Sequence, residues 1–279
     1  MGGTFVITLR EGFEAALVLG LVYTYLEKIG ARAHFGYVTW GAVLGALASL
    51  ALGIVVTIAS GPLVDLGPDL ISAVVLFTAA GLLTWHGWWM REHARAVRGE
   101  LERRIDIAQT TGQFWVLGII AFTGVFREGA EMVLFLWGLL TQMATSVGHG
   151  LLTAAGLAGL LAAASLGVLV FHGGRRLPLG RFFSVTSVLL LLLAAGLFST
   201  GVSRLQSLGF VPMTAALWDT SSWLDDRSLL GSFLSGLLGY RARPTGIEVV
   251  AYLAYVLFAM WLLFGRRSAS TSSGTEALV

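Results

Sequence analysis

Two stretches of this chain carry the same pattern of charge in apolar surroundings: Arg10-Glu11-Gly12-Phe13-Glu14 within TLREGFEAALVLG, and Arg127-Glu128-Gly129-Ala130-Glu131 within FREGAEMVLFLWG. On a helix, the acids of each copy are three residues apart, and the arginine lies four before the second acid. All three charged side chains therefore project over roughly one face. Gly12 and Gly129 remove side-chain bulk between the acids and are expected to let the two motif helices approach each other closely. Four carboxylates and two guanidinium groups would then meet with a net charge of −2. Carboxylate oxygens are hard ligands that suit Fe2+, Fe3+ or Mn2+ better than Cu+, and a divalent ion would neutralise the surplus. The same acids could equally serve a proton relay without metal. Arg10 and Arg127 could hold a glutamate rotamer or face a cytoplasmic anion, and scaffolding is the better fit.

The elements that must position these groups cross a membrane. The chain has 279 residues, 56% hydrophobic and 12% charged, with a mean hydropathy of +0.80; a soluble domain carries about 25% charged residues. Apolar runs near 20 residues match a hydrocarbon core about 30 Å thick. Seven spans are expected, at about 4–27, 35–60, 70–91, 113–141, 150–172, 182–203 and 246–264. Two shorter apolar stretches, 205–218 and 228–240, suit interfacial or re-entrant segments. Six charges at mid-membrane cost about 2.5–3.5 kcal/mol each, or about 15–20 kcal/mol before pairing. Such a cluster argues for a function. With no cysteine, disulfides, Fe–S clusters and thiolate metal sites are excluded. The first residues, MGGTFVITL, lack a basic segment and a cleavage site and read as the start of a retained helix.

Basic residues set the orientation. Lys28, Arg32, Arg91, Arg95, Arg98, Arg103, Arg104, Arg175, Arg176, Arg181, Arg266 and Arg267 fall on one side, against Arg204, Arg227, Arg241 and Arg243 on the other. The positive-inside rule places the N-terminus outside and the C-terminus in the cytoplasm. Trp85, Trp88, Trp89, Trp115 and Trp261 fall at the cytoplasmic level, as an aromatic belt does. Arg127 follows Arg10 by 117 residues, and each motif opens a set of three spans running in opposite senses. The expected fold class is an all-α polytopic membrane protein: an inverted 3+3 repeat plus one helix. It forms a single domain over 1–267, with repeat 1 at about 4–91, repeat 2 at about 113–203, an outer loop at 204–245 and a last helix at 246–264. Residues 268–279, SASTSSGTEALV, are expected to form a disordered cytoplasmic tail.

Other polar groups are weaker signals. His86, beside the tryptophans of span three, reads as a packed, hydrogen-bonded histidine rather than a ligand. Asp65 and Asp69 flank the outer start of span three and could guide cations inward, or Asp69 could cap a helix. Asp219, Asp225 and Asp226 lie in the outer loop and could capture metal, although a solvated acidic loop is the default. The arginine-rich loop 91–104 is mixed with acids and needs no nucleic acid to explain it. An intramembrane enzyme would need a nucleophile that the motifs lack, so no enzymatic activity is expected.

LREGFEAALV and FREGAEMVLF resemble the paired Arg-Glu-Gly-Leu-Glu signatures of the oxidase-dependent iron transporters, the high-affinity iron permeases, and the bacterial EfeU-type branch in particular. The likeness continues through LTWHGWWMREHARAV, AAGLFSTGVSRL and LLGYRARPTGIEVVAYLAYVLF. It implies inward iron transport across the bacterial cytoplasmic (inner) membrane, with Glu11, Glu14, Glu128 and Glu131 handling iron as substrate and no permanent cofactor. It also implies an extracytoplasmic iron-binding protein and a haem peroxidase or other oxidase as partners, and is compatible with a homo-oligomer. Another divalent metal on the same scaffold, Pb2+ or Mn2+, is the alternative. The chain departs from the family pattern at Phe13 and Ala130, where leucine is usual, and at Ser72, where a second acid usually follows Asp69.

Overall fold

A computed structural model describes residues 1–65, 68–111, 113–142, 149–171, 179–226 and 228–264. Its described elements are helical: α1 (Gly2–Lys28), α2 (Phe35–Asp65), α3 (Pro68–Thr111), α4 (Trp115–Gln142), α5 (His149–Phe171), α6 (Leu179–Ser207), α7 (Leu229–Leu238) and α8 (Gly246–Phe264), with a 3-10 turn at Arg32–His34 before α2. Among the described residues there is no β-strand; a lone bridge joins Ala216 to Thr245. Four helical segments, Arg32–Ile58, Asp69–Trp89, Gly150–Val170 and Gly180–Ser207, are long and apolar enough to cross a membrane. The tail at 268–279, Arg175, Arg176, Arg227, Arg266 and Arg267 lie outside the described residues, as do the side chains of Asp65, Arg91, Arg95, Arg98 and Arg104.

The stretch expected as an arginine-rich loop after span three is helical instead, because α3 continues to Thr111. REHARAVRGELERRIDIAQ contains no proline and a single glycine, and Ala, Arg, Glu and Leu are strong helix formers. Of the two short apolar stretches, 228–240 forms α7. Ser228 caps that helix by accepting a hydrogen bond from the Gly231 amide (2.9 Å), and Gly239 ends it at φ 69°. The stretch 205–218 is helical only through Ser207.

The centre is built from α1, α3, α4 and α6. Val6 and Ile7 of α1 pack with Leu76, Ala79, Ala80 and Leu83 of α3, Phe135 and Leu139 of α4, and Leu190, Leu193, Ala194 and Leu197 of α6. By contrast, α2, α5 and α8 turn long apolar side chains outward, among them Leu47, Leu50 and Ile58, Leu157 and Leu161, and Leu253 and Leu257. Exposed apolar faces of that extent suit a lipid environment.

Helix pairing is interlocked. The most extensive packing joins α1 to α5, α2 to α4, and α3 to α6. A Cβ on Gly159 of α5 would strike the Phe5 carbonyl, the Thr8 hydroxyl and the Leu9 amide of α1. A Cβ on Gly45 of α2 would strike the Phe122 carbonyl, Val125 and the Phe126 amide of α4. The glycines are 114 residues apart, and each of their three neighbours is displaced by 117. Gly167 against Ala16 and Gly53 against Val133 repeat the same two offsets. Contacts advance in the same direction along α1 and α5, and along α2 and α4, so each pair runs parallel.

Candidate metal-handling site

Where α1, α3 and α4 meet, both charged motifs face one another. On α1, Arg10 Nε lies 3.1 Å from Glu14 Oε1, and Arg10 Nη1 lies 3.8 Å from Glu11 Oε1. On α4, Arg127 Nε donates to Glu128 Oε1 at 2.9 Å and lies 3.9 Å from Glu131 Oε1. From α3, His86 Nε2 points between Glu11 Oε2 (4.0 Å) and Glu14 Oε2 (3.9 Å), while its Nδ1 abuts Glu131 Oε2. Glu11 is 0% exposed and Glu128 1%, with Arg10, Glu14 and His86 also buried.

Among the described residues, two groups of acids and histidine are spaced for a metal ion: Glu11–Glu14–His86 and Glu11–Glu128–Glu131. In each, one donor atom per residue lies within 4.8 Å of the others. The buried side-chain polar atoms that lack a hydrogen-bond partner among the described residues belong to Arg10, Glu11, Glu14, His86, Glu128 and Glu131 alone. Every one of them is therefore in this cluster. A buried carboxylate oxygen without a partner costs about 1–3 kcal/mol, and more when charged. Chemically, the arrangement can hold a cation through several oxygens and release it again.

The chain matches the Iron permease FTR1 family over residues 1–273. It belongs to that family. The ferrous iron permease EfeU of Yersinia pestis is 35% identical over 263 residues, which is 93% of this chain and 92% of the relative. The protein of the same name from Escherichia coli O157:H7 is 35% identical over 259 residues, 92% of each chain. No solved structure matches the chain. Membership of a permease family, taken with helices able to cross a bilayer, makes this a multi-pass membrane protein.

Within this permease the motif glycines act differently from expectation. A Cβ on Gly12 would meet Ala163 and Leu160 of α5, and one on Gly129 would meet Ser49 of α2. Each glycine therefore seats its helix against an outer neighbour, not against the other motif helix. Helix geometry dictates this: at 100° per residue, Gly12 is turned about 100° from Glu11 and about 160° from Glu14, away from the acidic face. Asp69, in the first turn of α3, pairs with Arg204 Nη1 of α6 at 3.0 Å. The loop acids stand apart from the cluster. Asp219 pairs with Arg243 (2.9 Å), and Asp226 accepts from the Ala242 amide (2.8 Å). Asp225 accepts at its carbonyl from the Ser228 amide at 2.9 Å. Hydrogen bonds from the Ser221 hydroxyl and amide, then from Arg243, hold the Asp219 carboxyl down at about 2.

His86, expected from the sequence to be a packed histidine, is buried and lies edge-on to Phe135, and it also stands among the motif acids. An ionisable side chain inside a span is by default a functional candidate.

Proposed function

We propose that this permease carries iron inward across the cytoplasmic membrane. Glu11, Glu14, Glu128 and Glu131 are the carboxylates that take the ion, which is a substrate and not a resident cofactor. The observation that carries this reading is the concentration of partnerless buried polar atoms in the two facing motifs. A cation among them supplies the missing partner for several oxygens at once. Four glutamates against two arginines leave a charge of −2, which favours Fe2+, and the relatives are named ferrous iron permeases.

The membrane arrangement is part of the same proposal. Seven spans, α1 to α6 and α8, place the N-terminus outside and the C-terminus inside. The triplets α1–α3 and α4–α6 form the two inverted repeats of one domain. The paired offsets of 117 and 114 residues support this, as does the exchange in which α1 packs on α5 and α4 on α2. Substrate sites in such folds lie where the repeats meet, and the repeats rock about them. Delivery by an extracytoplasmic iron-binding protein and a haem peroxidase follows from the family likeness.

Uptake into proteoliposomes tests the reading. Fe2+ under reductant and Fe3+ as a chelate are offered to the wild type and to Glu14→Gln/Glu131→Gln. Uptake by the wild type alone is expected, with Fe2+ the preferred form. Equal uptake by the double variant would overturn the carboxylate path. Mn2+ or Pb2+ outcompeting Fe2+ would change the cargo and leave the path.

A further inference from the structure

We propose that His86 is a direct ligand of the transported ion. The site then takes a borderline divalent cation through one imidazole nitrogen as well as carboxylate oxygens. This rests on the carboxylate site proposed above and adds to it the atom that discriminates among metals.

Three observations converge on His86. It is 5% exposed, and its Nε2 is buried without a hydrogen-bond partner. That nitrogen stands 4.0 Å from Glu11 Oε2 and 3.9 Å from Glu14 Oε2. These separations are too long for hydrogen bonds. They are right for two ligands of one metal, because donors at about 2.1 Å from an ion lie about 3.0 Å apart at right angles and about 4.2 Å apart when opposed. The other face of the ring is already occupied, with Nδ1 against Glu131 Oε2. A carboxylate beside Nδ1 favours the proton on that nitrogen and leaves the Nε2 lone pair for a metal, as it does behind many metal-bound imidazoles.

Glu11 belongs to both metal-spaced groups. An ion held by Glu11, Glu14 and His86 reaches Glu128 and Glu131 by exchanging two ligands while keeping the third. The first position offers nitrogen, and the second offers oxygen alone. The two triplets are not equivalent here. AAGLLTWH (79–86) in α3 corresponds to AAGLFSTG (194–201) in α6, which puts Gly201 where His86 stands. A Cβ at Gly201 would meet the Phe77 ring at 2.9 Å, so that position packs against α3 and offers no donor. Imidazole suits iron, zinc and nickel, whereas Mg2+ and Ca2+ prefer oxygen. One nitrogen at the first position therefore selects against the abundant hard divalent ions.

The test is X-ray absorption at the iron edge of purified full-length protein, loaded anaerobically with Fe2+ alone. It is run on the wild type and on His86→Asn, whose amide nitrogen replaces Nδ1 and keeps the contact with Glu131. The wild type is expected to show imidazole outer-shell scattering. The variant should lose that scattering, retain an oxygen shell, and bind Fe2+ about tenfold or more weakly with Mg2+ competition strengthened. Wild-type Fe2+ in an oxygen-only shell would overturn the inference and leave the carboxylate site standing. Wild-type affinity in His86→Asn would also overturn it. Failure of the wild type to bind Fe2+ would overturn both readings. The wild-type spectrum alone decides the matter if the variant misfolds.

Discussion

The two motifs have the same charges at the same spacing, yet the α1 copy is sealed and the α4 copy is partly open. Arg10, Glu11 and Glu14 are all buried, whereas Arg127 is 38% exposed and Glu131 23%. The difference traces to residues that do not repeat. At the fourth motif position Phe13 is fully buried, its ring edge-on to Phe182 of α6 at 4.8 Å and 5.8 Å from Phe183. Ala130 has no ring to offer. The start of α1 is also covered by α7, since a Cβ on Gly2 would meet the Phe233 carbonyl and one on Gly3 the Gly236 carbonyl. On the other side, Arg127 has the Trp89 ring at 5.6 Å. The repeated residues carry the charge, and the unrepeated ones decide which flank is closed.

The largest expected effect tests whether the halves are equal partners in transport. Glu14→Gln and Glu131→Gln should each cut proteoliposome iron uptake by about 100-fold or more, beyond the 10–100-fold typical of losing an outer-shell partner. Substantial uptake by one single variant would make the site one-sided. The difference in sealing is read by thiol labelling, because the chain has no cysteine to interfere. Glu131→Cys should react at least about tenfold faster than Glu14→Cys, the ratio that a 1.4 kcal/mol difference in access produces. Adding Phe13→Ala should speed labelling at position 14, and should cost about 3–5 kcal/mol of stability in detergent unfolding. Equal labelling rates in the parent pair would remove the asymmetry.

Much of this architecture was legible from residue order. The long apolar helices were visible because lipid demands uncharged helical runs, and the paired motifs were visible because charge inside such runs is costly. The contacts between spans were not visible. Uniformly apolar helices carry little information about which face meets which neighbour, so the pairing of α1 with α5 and α2 with α4 appears only in three dimensions. Helical angles turn Gly12 and Gly129 away from the acidic face and onto α5 and α2, a direction that the bulk argument for a close approach of the motif helices leaves out. His86 stood 72 residues from Glu14 in sequence, and nothing local linked it to the motifs.

A smaller effect tests the shared packing. Gly45→Ala and Gly159→Ala put a methyl group against backbone at matching positions, and each should destabilise the protein by about 1–3 kcal/mol. Thermal unfolding of the two purified variants compares them directly. Similar losses would strengthen the equivalence of the two triplets, whereas a silent change at one position would break it.

The smallest effect concerns acids of a different kind. Each motif glutamate keeps at least one carboxylate oxygen without a hydrogen-bond partner among the described residues, while Asp219 accepts from the Ser221 hydroxyl at 2.6 Å and its amide at 3.0 Å. A carboxylate already satisfied in the loop has little to gain from capturing a metal. Asp219→Asn should therefore leave uptake at neutral pH within about twofold, as a surface substitution away from the site does. A several-fold loss confined to low iron concentrations would instead give the loop a role in capture. The sign of the pH effect follows from the lowered pKa. The loop contacts are fully formed above the ordinary carboxylate range near 4 and are lost as pH falls through about 2. Protection of the Ser221 amide, taken against its intrinsic exchange rate at each pH, should hold from pH 7 to 4, fall as pH approaches 2, and show no such step in Asp219→Asn.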